Sequence, residues 1–169
     1  EQMFKTVMRD FLSYRAAYPE KKALILALSN KDVSELNRMV RTAYKKMGLV
    51  YGMETPEILV TDGREKWKTT FAIGDEVVVR ANSKDTTVYE IPPEKYDTKI
   101  NKWKAKSKPG VFNRNNGKIV DIIKSKSPLG SYDLIIQMEG DVSSRIIMNT
   151  KNFVHENMSA FPIVHNFAT

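Results

Sequence analysis

The chain contains no cysteine. Disulfides, zinc knuckles, iron–sulfur clusters and thiol catalysis are excluded together. Histidine is nearly absent as well. His155 and His165 stand alone with no acidic cluster beside them, which suits a structural or surface role rather than a metal site. No apolar run approaches the ~20 residues that a membrane-spanning helix needs. No apolar h-region of a signal peptide follows Glu1-Gln2-Met3-Phe4-Lys5, so a secretory signal is not expected. Neither a Gly-x-x-x-x-Gly-Lys-Ser/Thr phosphate loop nor a Gly-x-Ser-x-Gly elbow occurs. The chain therefore shows no nucleotide-hydrolysis machinery and no complete catalytic site.

What is present is an ordinary globular interior and a basic exterior. Hydrophobic residues make up 41% of 169 residues, enough for one domain, or a small domain plus part of another. Lys and Arg number 27 against 20 Asp and Glu, a net charge of +7. That excess favours an anionic partner: nucleic acid, an acidic protein or a membrane surface.

Residues 3–18 predict an amphipathic helix. Phe4, Val7, Met8, Phe11 and Leu12 follow the spacing of one helical face, and Pro19 stops it. Ala23-Leu24-Ile25-Leu26-Ala27-Leu28 is a short, wholly apolar run, the pattern of a strand buried on both faces. Ser29 and Asp32 then resemble a capping box. The helix they announce carries Val33, Leu36, Val40, Tyr44 and Met47 on one face and stops at Gly48. Helix, buried strand, helix is the order of an α/β layer.

Beyond about residue 55 short β-rich runs take over. They are Ile58–Val60, Lys68–Phe71, Glu76–Arg80, Lys118–Ile123, Tyr132–Ile136 and Arg145–Met148. Asp62-Gly63, Ile73-Gly74-Asp75, Asn115-Asn116-Gly117, Pro128-Leu129-Gly130 and Glu139-Gly140-Asp141 separate them, which predicts a small antiparallel barrel. Asn116-Gly117 is a hairpin signal. Phe161–Thr169 is apolar and strand-like, and stops without a cap or polar tail.

The strongest local feature is Lys99-Ile100-Asn101-Lys102-Trp103-Lys104-Ala105-Lys106-Ser107-Lys108, which holds five lysines, one tryptophan and no acid. Arg114, Lys118, Lys124 and Lys126 extend it against Asp121 alone. Lysines neutralise phosphates and release counterions. A tryptophan among them can stack on an unpaired base. The competing reading is a solvated loop whose Trp103 packs back on the barrel. The candidate nucleic-acid-binding residues are Lys99, Lys102, Trp103, Lys104, Lys106, Lys108, Arg114 and Lys118. No residue is assigned a catalytic, cofactor or metal role. Asp32 and Glu35 suit a cap or a solvated helix face.

Read in order, four stretches resemble one family. Leu24–Asn37, with Asp32-Val33-Ser34-Glu35-Leu36-Asn37 opening a helix after a strand and a polar turn, resembles the second motor domain of RecD-like superfamily 1 helicases. More closely it is similar to the helicase part of TraA-type conjugal-transfer relaxases. Phe71-Ala72-Ile73-Gly74-Asp75-Glu76-Val77-Val78-Val79 resembles that family's way into an inserted SH3-like barrel. Val111–Val120 resembles a hairpin of the barrel. Ile163–Thr169 is similar to the stretch leading into the next motor motif, which is missing here.

The resemblance implies an α+β chain. Residues 1–66 would be a partial RecA-like helix–strand–helix piece. Residues 67–154 would be an SH3-like β-barrel with a lysine-rich insertion at 83–109. Residues 155–169 would be a return strand. It implies single-stranded DNA and the remaining motor domains of the full-length protein as partners, no membrane, and the bacterial cytoplasm. ATP and Mg would belong to the full-length helicase, with possible relaxase activity, and no cofactor to this segment, which would be inactive alone. The long insertion at 83–109 departs from the short linker usual in the family. The alternative is a free-standing SH3-like barrel that binds RNA or a protein partner.

Overall fold

A computed structural model describes residues 2–81, 83–90, 96–97, 102–103, 107–111, 115–126, 128–139, 144–151 and 160–169. For residues 83–111 the description is of the backbone. Among these residues the chain is a mixed α+β protein with two helices and antiparallel sheets. It divides into two compact units, Glu1–Val50 with His165–Thr169, and Tyr51–Val164.

In the first unit, helix α1 (Gln2–Ala17) buries Phe11 and half-buries Phe4, Val7, Met8 and Leu12, the expected face. Helix α2 (Asn30–Lys46) begins where Ser29 Oγ accepts the Asp32 N–H at 3.1 Å. Asp32 in the first turn and Lys45 and Lys46 in the last complement the helix dipole. Leu36, Val40 and Tyr44 form its buried stripe. Gly48, at φ +73°, ends the helix and donates to the Lys45 carbonyl. Met47, the C-cap residue, is exposed rather than part of the buried stripe. Glu35 and Arg38 pair at 2.6 Å on the solvent side. The hydrogen bond from Arg38 lowers the Glu35 pKa.

The apolar run at 23–28 is extended and runs parallel to the C-terminal residues. Ile25 N–H donates to Phe167 O, Ala27 N–H to Thr169 O, and Thr169 N–H returns to Ile25 O. Burial on both faces, expected from the sequence, does not hold here. Alternate residues of an extended segment face opposite ways. Ile25 is buried, but Leu26 is 79% and Leu28 106% exposed. One side of the ladder is covered; the leucine side is open among the described residues.

The second unit begins with a hairpin of β1 (Ile58–Thr61) and β2 (Lys66–Thr69). Asp62 Oδ1 accepts the N–H groups of Arg64 and Glu65 and shapes its turn. Strands β3 (Glu76–Val79), β4 (Ser83–Glu90), β5 (Tyr96–Asp97), β6 (Lys102–Trp103), β7 (Ser107–Val111), β8 (Asn116–Lys124), β9 (Tyr132–Met138), β10 (Ser144–Asn149) and β11 (Ile163–His165) follow. One seven-stranded sheet has the order β11-β3-β8-β9-β10-β4-β7, and β5 pairs with β6 separately. Among the described residues no sheet closes on itself, and the large sheet ends at β11 and β7. Closure into the expected barrel is not among the described pairings.

Register explains the core. Ile119, Ile136 and Ile146 lie side by side, as do Ile122, Leu134 and Met148. All six are buried. Ile119 and Ile122 are three apart and would face opposite ways in a regular strand. A bulge between Ile119 and Asp121 inserts Val120 and returns both to one face. Phe71 and Phe161 close the core edge-to-face, 6.0 Å apart and at 85°.

Asn116-Gly117 is not a hairpin turn. Both residues begin β8. A Cβ on Gly117 would lie 2.5 Å from Ile136 Cγ2 and 2.8 Å from Gln137 O. Glycine is there so that β9 can approach, not to turn the chain. A tight turn does form at Ala72-Ile73-Gly74-Asp75. Asp75 N–H donates to Ala72 O, its Oδ2 accepts the Ala72 N–H at 2.8 Å, and Gly74 takes φ +94°. Positive φ at the third position is what a type II turn requires.

Candidate nucleic-acid interface

Of the eight residues singled out from the sequence, Lys118 is the one whose side chain can be placed. It is exposed on β8, opposite Glu76 of β3 and Gln137 of β9. The adjoining row, Ile119–Ile136–Ile146, faces the core, so the Lys118 row faces away from it. Gln137 is opposite Arg145 on β10, and Arg145 Nε donates to Gln137 Oε1 at 2.9 Å. Lys118 and Arg145 thus flank Gln137 on one outer row. Their backbones are two strand spacings apart, about 10 Å.

Arg145 was missed from sequence because it lies far along the chain from the lysine run. Only the β8–β9–β10 register brings it beside Lys118. Glu76 at the end of the same row offsets part of the charge. Lys124 and Lys126 are exposed at the other end of β8 and just beyond it.

Lys102 and Trp103 form β6, opposite Asp97 and Tyr96. Lys108 lies on β7 opposite Val88. Lys99, Lys104, Lys106 and Arg114 lie outside the described residues. The structure therefore brings the lysine-rich stretch into β strands at two places, and joins Lys118 with Arg145.

Chemically, this row can hold anions. It contains no acid–base or nucleophilic pair. Among the described residues no group of three His, Asp or Glu could hold a metal ion, and no helix is long and apolar enough to cross a membrane.

Two stretches of the sequence resemblance acquire definite structural roles. Asn37, which closes the Asp32–Asn37 stretch, clamps the C-terminal residues. Its Oδ1 accepts the N–H groups of Phe167 at 2.7 Å and Ala168 at 2.9 Å, and its Nδ2 donates to Ala168 O at 3.1 Å. Tyr44 stacks edge-to-face on Phe167 at 5.0 Å. Protein-family models, curated proteins and solved structures give no match to the chain.

Proposed function

We propose that the chain handles single-stranded DNA as a segment of a conjugative relaxase/helicase of the TraA type, working in the bacterial cytoplasm. In this reading residues 1–66 and 155–169 belong to a RecA-like motor domain, and residues 67–154 are an SH3-like barrel inserted in it. The observation that carries the reading is the Asn37 clamp. Asn37 and Phe167–Ala168 belong to two separate stretches of the family resemblance, and three hydrogen bonds join them.

The parallel ladder of 25–27 with 167–169 supports the same conclusion. Parallel strands need a crossover connection, usually a helix. Helix α2 lies between them in sequence, and the β-rich unit is inserted after it. Apolar side chains on both sides of residues 23–28 suit a sheet with further layers.

DNA would be held through its phosphates by Lys and Arg, without reading of sequence. The +7 charge supports such a partner. ATP and Mg belong, in this reading, to the rest of the full-length protein. The sequence contains no Gly-x-x-x-x-Gly-Lys-Ser/Thr phosphate loop, so no step of hydrolysis is assigned to its residues.

Fluorescence anisotropy with a labelled oligothymidylate of about 20 nucleotides tests the proposal. Binding at low salt, tighter to the single strand than to a duplex of equal length, is expected. No binding at low salt refutes it.

A further inference from the structure

The chain has two tryptophans, and both occupy the same tripeptide: Lys66-Trp67-Lys68 and Lys102-Trp103-Lys104. Lys66-Trp67-Lys68 starts β2 of the β1–β2 hairpin, and Lys102-Trp103 forms β6 of the separate β5–β6 pair. The second copy belongs to the lysine-rich stretch described above. The first lies outside it and has no role so far.

Lys66 and Lys68 are exposed on one face of the hairpin with Leu59, and Arg64 is exposed in the turn. Trp67 is on the other face, opposite the fully buried Val60, yet keeps 37% of its surface open. A half-open indole can take a base on its free surface. Strand β2 has β1 as its one partner in this sheet, so its outer edge is open among the described pairings. A flexible polymer crossing that edge meets the lysines on one side and the indole on the other.

Spacing agrees with such a polymer. Residues i and i+2 of a strand are about 6.8 Å apart, close to two steps of a stacked nucleic-acid strand at about 3.4 Å each. Acids are also near. Asp62 Oδ1 is occupied by the Arg64 and Glu65 N–H groups, while Glu57 and Glu65 are exposed. The hairpin is therefore not a general anion attractor. What it offers is paired cations beside an open indole.

We propose that the β1–β2 hairpin is a second contact for single-stranded DNA. Trp67 stacks on a base, and Arg64, Lys66 and Lys68 hold phosphates. The inference rests on the DNA-handling function proposed above.

Single-tryptophan variants of the whole chain test it. Trp103→Phe leaves Trp67 as the one indole, and Trp67→Phe leaves Trp103. Each is titrated with oligothymidylate while indole fluorescence and anisotropy are read together, after circular dichroism has shown both folded. Quenching in Trp103→Phe is the expected result. The exposed pair Lys66→Gln/Lys68→Gln should weaken binding about tenfold at low salt. It should also flatten the slope of log K against log salt by about 1.4, or about 0.7 for each phosphate no longer neutralised. If Trp103→Phe still binds with unchanged fluorescence, and the lysine pair leaves affinity and slope unchanged, the second contact is overturned and the DNA-handling function stands. If the unaltered chain shows no binding at low salt, both fall.

Discussion

Asn37→Ala removes the clamp on the C-terminal residues. Three hydrogen bonds disappear, to the Phe167 and Ala168 N–H groups and the Ala168 carbonyl. Phe167 and Ala168 are buried, so water does not readily replace the missing partner. At about 1 kcal/mol for each bond, the loss is about 3 kcal/mol. Set against the ~5–15 kcal/mol that stabilises a typical domain, that is a large fraction for a unit as small as Glu1–Val50 with His165–Thr169. Asn37→Asp keeps an acceptor for both N–H groups but loses the donor and sets a carboxylate against Ala168 O. It should cost less, about 1–2 kcal/mol. Urea unfolding followed by circular dichroism gives the free energies. Amide hydrogen exchange at Phe167 and Ala168 gives the local effect. An Asn37→Ala protein within about 0.5 kcal/mol of the unaltered chain, with exchange at those two amides unchanged, would refute the clamp.

Two further outcomes follow from packing. Gly117→Ala would force a methyl group against Ile136 and the Gln137 backbone; overpacking of this kind costs about 1–3 kcal/mol, read as a lower urea midpoint, whereas a neutral result would contradict the β8–β9 register. Leu26→Ser with Leu28→Ser should leave the stability of the isolated chain within about 0.5 kcal/mol, because both side chains are open; a loss of several kcal/mol would show that the leucine face is covered after all.

Local rules read best in the helices. Ser29 as a cap, the Leu36–Val40–Tyr44 stripe and the Gly48 stop all follow from spacing within one turn or two. The β-rich unit was legible as strands but not as a sheet. Pairing of β10 with β4, or of β4 with β7, joins residues whose neighbours in sequence say nothing of each other. The bulge at Val120 was hidden for the same reason: it is needed only to keep Ile119 and Ile122 on one face of a particular sheet. Asn116-Gly117 misled because the same dipeptide suits a tight turn and a close strand approach. Only the distance to Ile136 separates the two.

The candidate interface was legible only where residues are adjacent in sequence. A run of lysines is visible by eye, but Arg145 beside Lys118 is a product of register. Trp67 lay outside the run and between acids, so composition alone gave no reason to select it. Its two-stranded setting, shared with Trp103, is what marks it.

The central claim is that the chain grips single-stranded DNA by pairing its cations with phosphates. Its most direct test is the anisotropy titration carried from about 50 to about 200 mM salt. If roughly four phosphates are engaged, log K falls with log salt at a slope of about −2.8, and affinity drops about fiftyfold across that range. Binding that is absent at low salt, or that is unchanged across the range, would contradict the account.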